Sequence, residues 1–251
     1  MDALPLKLTS ISSPLPLFFT MYFILYLNAY FILFRAWARK LKPEASSCVI
    51  SLAHGTPAVF LACRAILSDP APNFHSPNTP LQNIALDYSI AYFSMDLIHF
   101  LIFEPSGVLF IAHHLVSLFV FLTCRYVAYH GAFTVLSLLI LAEVTSFCQN
   151  VWTLAGARRS DVEFARKVFD LMSPPFYAFY SVVRGLLGPY FVYRMCVFFG
   201  NGSADDVIPT WVWVSWVLVA VMIIFVSVLW ISNLWMKFYS ERSNKAERKI
   251  Q

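Results

Sequence analysis

Seven stretches of about 20 mostly apolar residues, separated by short polar loops, dominate this chain. They cover 15–35, 47–67, 84–103, 107–126, 131–155, 168–198 and 209–236. A helix needs about 20 such residues to cross a hydrocarbon core of about 30 Å. In lipid a helix satisfies its own backbone groups, which an open strand does not. The pattern predicts an all-α fold: a polytopic membrane helical bundle of about seven transmembrane helices around a polar cavity. Only 13% of the 251 residues are charged, against about 25% in an ordinary soluble domain, and the blocks leave no room for a soluble domain. The first block is longer than a signal-peptide core and runs into Arg35-Ala-Trp-Ala-Arg-Lys40, so it reads as a retained anchor.

The placement of Lys and Arg predicts the orientation. Arg35, Arg39, Lys40 and Lys42 follow the first block; Arg158, Arg159, Arg166 and Lys167 follow the fifth; Lys237, Arg242, Lys245, Arg248 and Lys249 follow the seventh. With seven spans these segments share one side, which the positive-inside rule makes cytosolic. The opposite side holds the Pro-rich loop 68–80 and the acidic loop 200–207, with an Asn201-Gly-Ser203 glycosylation pattern. The N-terminus is then lumenal and the C-terminus cytosolic. The net charge of +4 lies in membrane-flanking segments and does not point to nucleic acid. Five cysteines without a CxxC pair read as small buried apolar residues.

Polar residues inside the apolar blocks carry the functional signal, because ionisable groups in a span are costly and tend to face a cavity or the bundle interior. Tyr92, Asp96 and His99 stand at i, i+4 and i+7 in the third block, on one helical face. His113 and His114 are adjacent in the fourth, about 100° apart around the helix axis, with Ser117 one turn on. Glu143 lies in the fifth, with Ser146 and Asn150 at i+3 and i+7. Arg184 in the sixth is the expected counter-ion for Glu143 or Asp96. Pro174-Pro175 and Gly185-x-x-Gly188-Pro189 predict a kinked or broken sixth helix. The competing reading of every one of these groups is a structural bond that locks neighbouring helices.

Several chemistries are excluded. The histidines lack the HxxxH and HxxHH spacings of membrane di-iron enzymes, and there is no HExxH helix, GxSxG elbow or Walker loop. No metal or bound cofactor is expected. A seven-helix receptor is disfavoured, since the third span lacks a DRY end and the seventh an NPxxY motif. Acid–base chemistry by His beside carboxylates remains, which suits acyl transfer onto an amine or hydroxyl.

Tyr92-Phe-Ser-Met-Asp96, His113-His114 and Glu143-Val-Thr-Ser with Asn150, with His54-Gly55 ahead of them, resemble the TLC-domain family, which includes the ceramide synthases. The resemblance covers about residues 45–240 and is nearest to the short uncharacterised members. It divides the chain into 1–44 (lumenal N-terminus, first helix, basic cytosolic loop), 45–240 (the TLC-like domain) and 241–251 (basic cytosolic tail). It implies a helical bundle with a lipid-accessible cavity in the endoplasmic reticulum membrane. It also implies lipid metabolism with acyl-CoA as co-substrate and membrane lipids as partners. His113 or His114 would be the base, Asp96 its orienter and Glu143 a further catalytic group; Tyr92, His99, Ser117, Asn150 and Arg184 would line the substrate site. In ceramide synthases the His pair is followed by two aspartates in the next span. Here that span has His130-Gly131 before it and Glu143 within it, which weighs against ceramide synthesis and leaves a non-catalytic lipid-binding, transport or homeostasis role as the alternative. Arg248 and Lys249 resemble a dilysine retrieval signal read by coat proteins.

Overall fold

The structure is a computed structural model that describes residues 13–250, with side chains described through Ser240. Seven helices among these residues are long and apolar enough to cross a membrane: α1 (Leu15–Leu33), α2 (Lys42–Leu67), α3 (Pro80–Phe103), α4 (Val108–Ala128), α5 (Ala132–Arg158), α6 (Glu163–Gly200) and α7 (Thr210–Ile250). Several start or end outside the apolar blocks. α3 begins four residues ahead of its block because Thr79 forms a capping box with Gln82: its hydroxyl accepts from the Gln82 amide, and the Gln82 side chain accepts from the Thr79 amide. Two N-terminal donors are satisfied there, and Pro80 supplies a helical φ at the first position. α2 and α6 extend over polar residues, Lys42–Ser46 and Glu163–Lys167, which hydropathy alone does not count as spanning.

α2 and α3 form the centre. α2 packs on α3 and on both halves of α5; α3 also packs on α1 and α4; α6 packs on the second half of α5 and on α7. Small side chains make this approach close. Ala45, Cys48, Gly55, Ala58, Ala62 and Ala65 are all buried on α2, as expected where membrane helices meet through van der Waals contact.

Three helices change register. α1 ends in a π-turn at Ala29–Leu33, α4 in one at Cys124–Ala128, and α6 contains one at Val183–Leu187. The last follows from sequence. Pro189 has no N–H to continue the α ladder, and the Gly188 amide bonds back five residues to Val183. The break expected in the sixth span is therefore a π-turn ahead of Pro189, and Pro174 and Pro175 lie inside a continuing helix. α5 is interrupted instead, at Val144 and Thr145, where two β-branched residues adjoin Glu143.

Opposite the basic loops, a polar clamp fastens α1, α3 and α4. Asp87 is fully buried and accepts from Arg125 Nε at 3.1 Å, Tyr126 Oη at 2.9 Å and Ser13 Oγ at 2.9 Å. At the same end Gly131 takes φ +83°, and a Cβ there would stand 2.8 Å from the Trp216 ring. Trp216 is buried and donates to Thr123 Oγ1 at 2.8 Å. Gly131→Ala is expected to destabilise the bundle by about 1–3 kcal/mol through backbone strain and displaced packing, seen as a lower unfolding temperature in detergent.

Candidate functional site

One face of α2 organises the polar interior. Ser47, Ser51 and His54 stand at i, i+4 and i+7, and each meets a different acidic or amide group. Ser47 Oγ donates to Asp96 Oδ1 at 2.7 Å, Ser51 Oγ accepts from Asn150 Nδ2 at 2.9 Å, and His54 Nδ1 lies 3.8 Å from Glu143 Oε2. α3 and α5 supply the partners and α4 closes the group through His114.

Asp96 and His114 form its tightest element. His114 Nε2 lies 2.9 Å from Asp96 Oδ2, and its Nδ1 lies 2.8 Å from the Phe110 carbonyl. A carbonyl only accepts, so Nδ1 carries a hydrogen. Nε2 then faces a carboxylate oxygen at a distance that two bare acceptors do not hold. One further proton lies between Asp96 and His114, and both nitrogens of that ring are engaged. Tyr92 Oη donates to Asp96 Oδ2 at 3.3 Å, so three donors with Ser47 converge on the carboxyl group. Asp96 is 3% exposed and His114 5%.

His54 and Glu143 form a looser pair. The Ser89 hydroxyl donates to the Ala85 carbonyl and so accepts from His54 Nε2 at 3.2 Å. That leaves His54 Nδ1 facing Glu143. The His54 ring stacks on Tyr92 at 4.0 Å with an 8° interplanar angle, so Tyr92 joins the two His–carboxyl pairs through its hydroxyl and its ring face. Gly55 permits the approach: a Cβ there would meet Ser146 Cβ at 2.8 Å and Glu143 Oε2 at 3.0 Å. Gly55→Ala should push α2 and α5 apart at an expected cost of about 1–3 kcal/mol. Gly55→Ser should cost at least as much, because its side chain is larger still; unfolding in detergent measures both.

His113 differs from its neighbour. It is half-buried, its ring stands 5.6 Å from His114 at 87° and 6.1 Å from Phe93, and among the described residues it makes no hydrogen bond.

Other expected partners separate. Arg184, in the π-turn of α6, forms no ion pair with Glu143 or Asp96. It donates to the Ala142 carbonyl at 2.7 Å, at the break in α5, and its guanidinium lies over the Tyr180 ring. The break opens a backbone acceptor that outcompetes the carboxylate for this donor. Arg184 Nε has no partner. His99 does not pair with Asp96 either. It turns toward α1, where Nδ1 meets Tyr26 Oη at 3.0 Å, because Asp96 is already held by α2 and α4. Asn150 is fixed by Ser51 and Ser146, and Ser117 is buried one turn beyond the His pair. Arg248 and Lys249 lie outside the residues whose side chains are described.

The interior groups are thus largely bonded to one another, and a cavity lies elsewhere, at the end of the bundle that carries the basic loops. His54, Ser47 and Ser51 were not among the expected site residues. The i, i+4, i+7 polar stripe on α2 was the available signal, and it was masked by the serines' ordinariness within a small-residue helix.

Comparison with known proteins gives the family. The TLC domain family matches residues 44–236, which contain Ser47, His54, Asp96, the His pair, Glu143 and Arg184. A TLC domain-containing protein of Arabidopsis thaliana is 58% identical over 213 residues, 84% of either chain. No solved structure matches. With seven membrane-spanning helices and a match over most of its length, this chain belongs to the TLC-domain family of multi-pass membrane proteins.

Proposed function

We propose that this chain is a lipid-modifying enzyme of the endoplasmic reticulum membrane that transfers an acyl group from acyl-CoA to a hydroxyl or amine of a lipid. The observation that carries this reading is the difference between the two adjacent histidines. His114 is committed at both nitrogens, whereas His113 is half-buried with neither nitrogen bonded. A general base needs a free lone pair within reach of the nucleophile's proton.

In this reading His113 takes the proton of the lipid hydroxyl or amine as that group attacks the thioester carbonyl. A bond forms from nucleophile to carbonyl carbon, the carbon–sulfur bond breaks, and the proton on His113 passes to the departing thiolate. Asp96 and His114 position the helix turn that carries His113 and set the local field. Arg184, whose Nε is not used by Ala142, would be the donor for negative charge on the carbonyl oxygen. Arg35, Arg39, Arg158, Arg159 and Lys167 support a cytosolic position for the basic end under the positive-inside rule, where acyl-CoA would be available, and the C-terminal Arg248 and Lys249 would serve retention by coat proteins.

Turnover of labelled palmitoyl-CoA into lipid by the purified chain in nanodiscs tests the proposal. A labelled lipid product supports it; hydrolysis to free acid without a lipid product counts against it. A second reading, a non-catalytic lipid-binding or homeostasis factor, is favoured by the mutual bonding of Asp96, His114, His54 and Glu143. Lipid profiling after deletion separates the two. An enzyme leaves one product missing and its precursor raised, whereas a homeostasis factor shifts the distribution of many lipids.

A further inference from the structure

Two buried imidazoles of this bundle face carboxyl groups, and only one of these pairs closes. His114 Nε2 stands 2.9 Å from Asp96 Oδ2, whereas His54 Nδ1 stands 3.8 Å from Glu143 Oε2, beyond hydrogen-bond range. His54 is fully buried and its Nδ1 has no hydrogen-bond partner among the described residues. Such atoms are rare in folded interiors, where bound water commonly completes the bonding.

The gap is built in from both sides. His54 is held toward α3, where Nε2 bonds to Ser89 at 3.2 Å and the ring stacks on Tyr92 at 4.0 Å. A swing toward α5 would lose both contacts. α5 in turn cannot move closer to α2. A Cβ at Gly55 would already stand 2.8 Å from Ser146 Cβ, and one turn away Asn150 and Ser51 fix the same spacing at 2.9 Å.

The chemistry of the pair calls for a small bridging donor. Nε2 carries the hydrogen that Ser89 accepts, so in a neutral ring Nδ1 is a bare lone pair. Two acceptors then face one another, and water has a hydrogen for each. With a protonated ring the same molecule accepts from Nδ1 and donates to the carboxylate. A buried water makes about three hydrogen bonds. Tyr22 on α1 has a further unused group: it is fully buried, its ring stands 6.4 Å from that of His54, and its hydroxyl has no partner. Glu143 gives the way in, since its side chain is 11% exposed and that of His54 0%. A metal ion fits less well, because no three His, Cys, Asp or Glu side chains converge among the described residues.

We infer that a water molecule is bound between His54 Nδ1 and the Glu143 carboxylate, so that the bundle interior is hydrated at Glu143 while Asp96 is held by protein groups alone. The site is independent of whether His113 is catalytic.

X-ray hydroxyl-radical footprinting of the full chain in nanodiscs tests this, because radiolysis turns a bound water into a radical where it sits. His54 should be oxidised severalfold faster than Trp216. That residue is as deeply buried, has an intrinsically more reactive ring, and has its Nε1 bonded to Thr123. Glu143→Leu should bring His54 down to the Trp216 rate, and Glu143→Gln should keep the faster rate, since its amide oxygen accepts the same hydrogen. Oxidation of His54 no faster than Trp216 in the unsubstituted chain would overturn the inference without recourse to any variant. So would an unchanged His54 rate in Glu143→Leu, its folding verified by an unfolding transition in detergent.

Discussion

His113→Ala is expected to lower the proposed acyl transfer by about 10²–10⁴-fold, the range for losing a positioned acid–base group, while changing stability by less than about 1 kcal/mol. The small stability effect follows from what His113 touches. It has ring contacts with Phe93 and His114 and no hydrogen bond, so its removal strands no buried partner. His114→Ala should give the reverse pattern. The Phe110 carbonyl and the Asp96 carboxyl group lose a donor each, so the bundle weakens and activity falls only as far as the turn bearing His113 is displaced. Parallel measurement of lipid acylation and of unfolding in detergent separates the two residues. Equal losses of activity at equal stability for both variants would contradict the division of roles.

Asp96→Ala should be the most destabilising single substitution in the interior, by about 3–5 kcal/mol. Asp96 accepts from Ser47, Tyr92 and His114, which belong to α2, α3 and α4. Removing the carboxyl group leaves all three donors buried without an acceptor, and the proton held with His114 loses its partner. The same reasoning fixes the double variant. Asp96→Ala combined with His114→Ala should cost clearly less than the two single losses added, because each single variant already incurs the penalty of an orphaned partner. Additive losses in a thermal or denaturant series would mean that the pair is not energetically coupled.

The helix count, their approximate limits and the family were legible in the sequence because lipid imposes length and composition on every span. What sat in those spans was legible as well: Asp96, His114 and Glu143 are unusual enough in apolar surroundings to be noticed one at a time. Their partners were legible only in part: the resemblance set Asp96 beside His113 or His114 without choosing between them, and Glu143 was set against Arg184 where His54 stands. Asp96 could meet His99 along its own helix or an imidazole on another, and periodicity does not decide between a neighbour at i+3 and a neighbour on α4. The choice of His114 depends on how close α3 and α4 approach. Arg184 shows the same limit. Its destination was set by the interruption of α5 at Val144–Thr145, a local event that frees an acceptor at Ala142 and that an apolar block conceals. His54 is fully buried, yet a single His in a small-residue helix gives no spacing signal until Glu143 is seen opposite it.

His113 has neither ring nitrogen bonded among the described residues, beside a His114 engaged at both nitrogens. Site-resolved modification by diethylpyrocarbonate tests it most directly and needs no known substrate. The reagent is small and apolar and attacks an unprotonated ring nitrogen. Applied to the folded chain in nanodiscs and mapped by fragment-ion sequencing of the peptide that contains both histidines, it should place the carbethoxyl group on His113 and spare His114. In the Asp96→Ala variant His114 should become reactive. Modification of His114 in the unsubstituted protein at a rate equal to or above that of His113 would contradict the account.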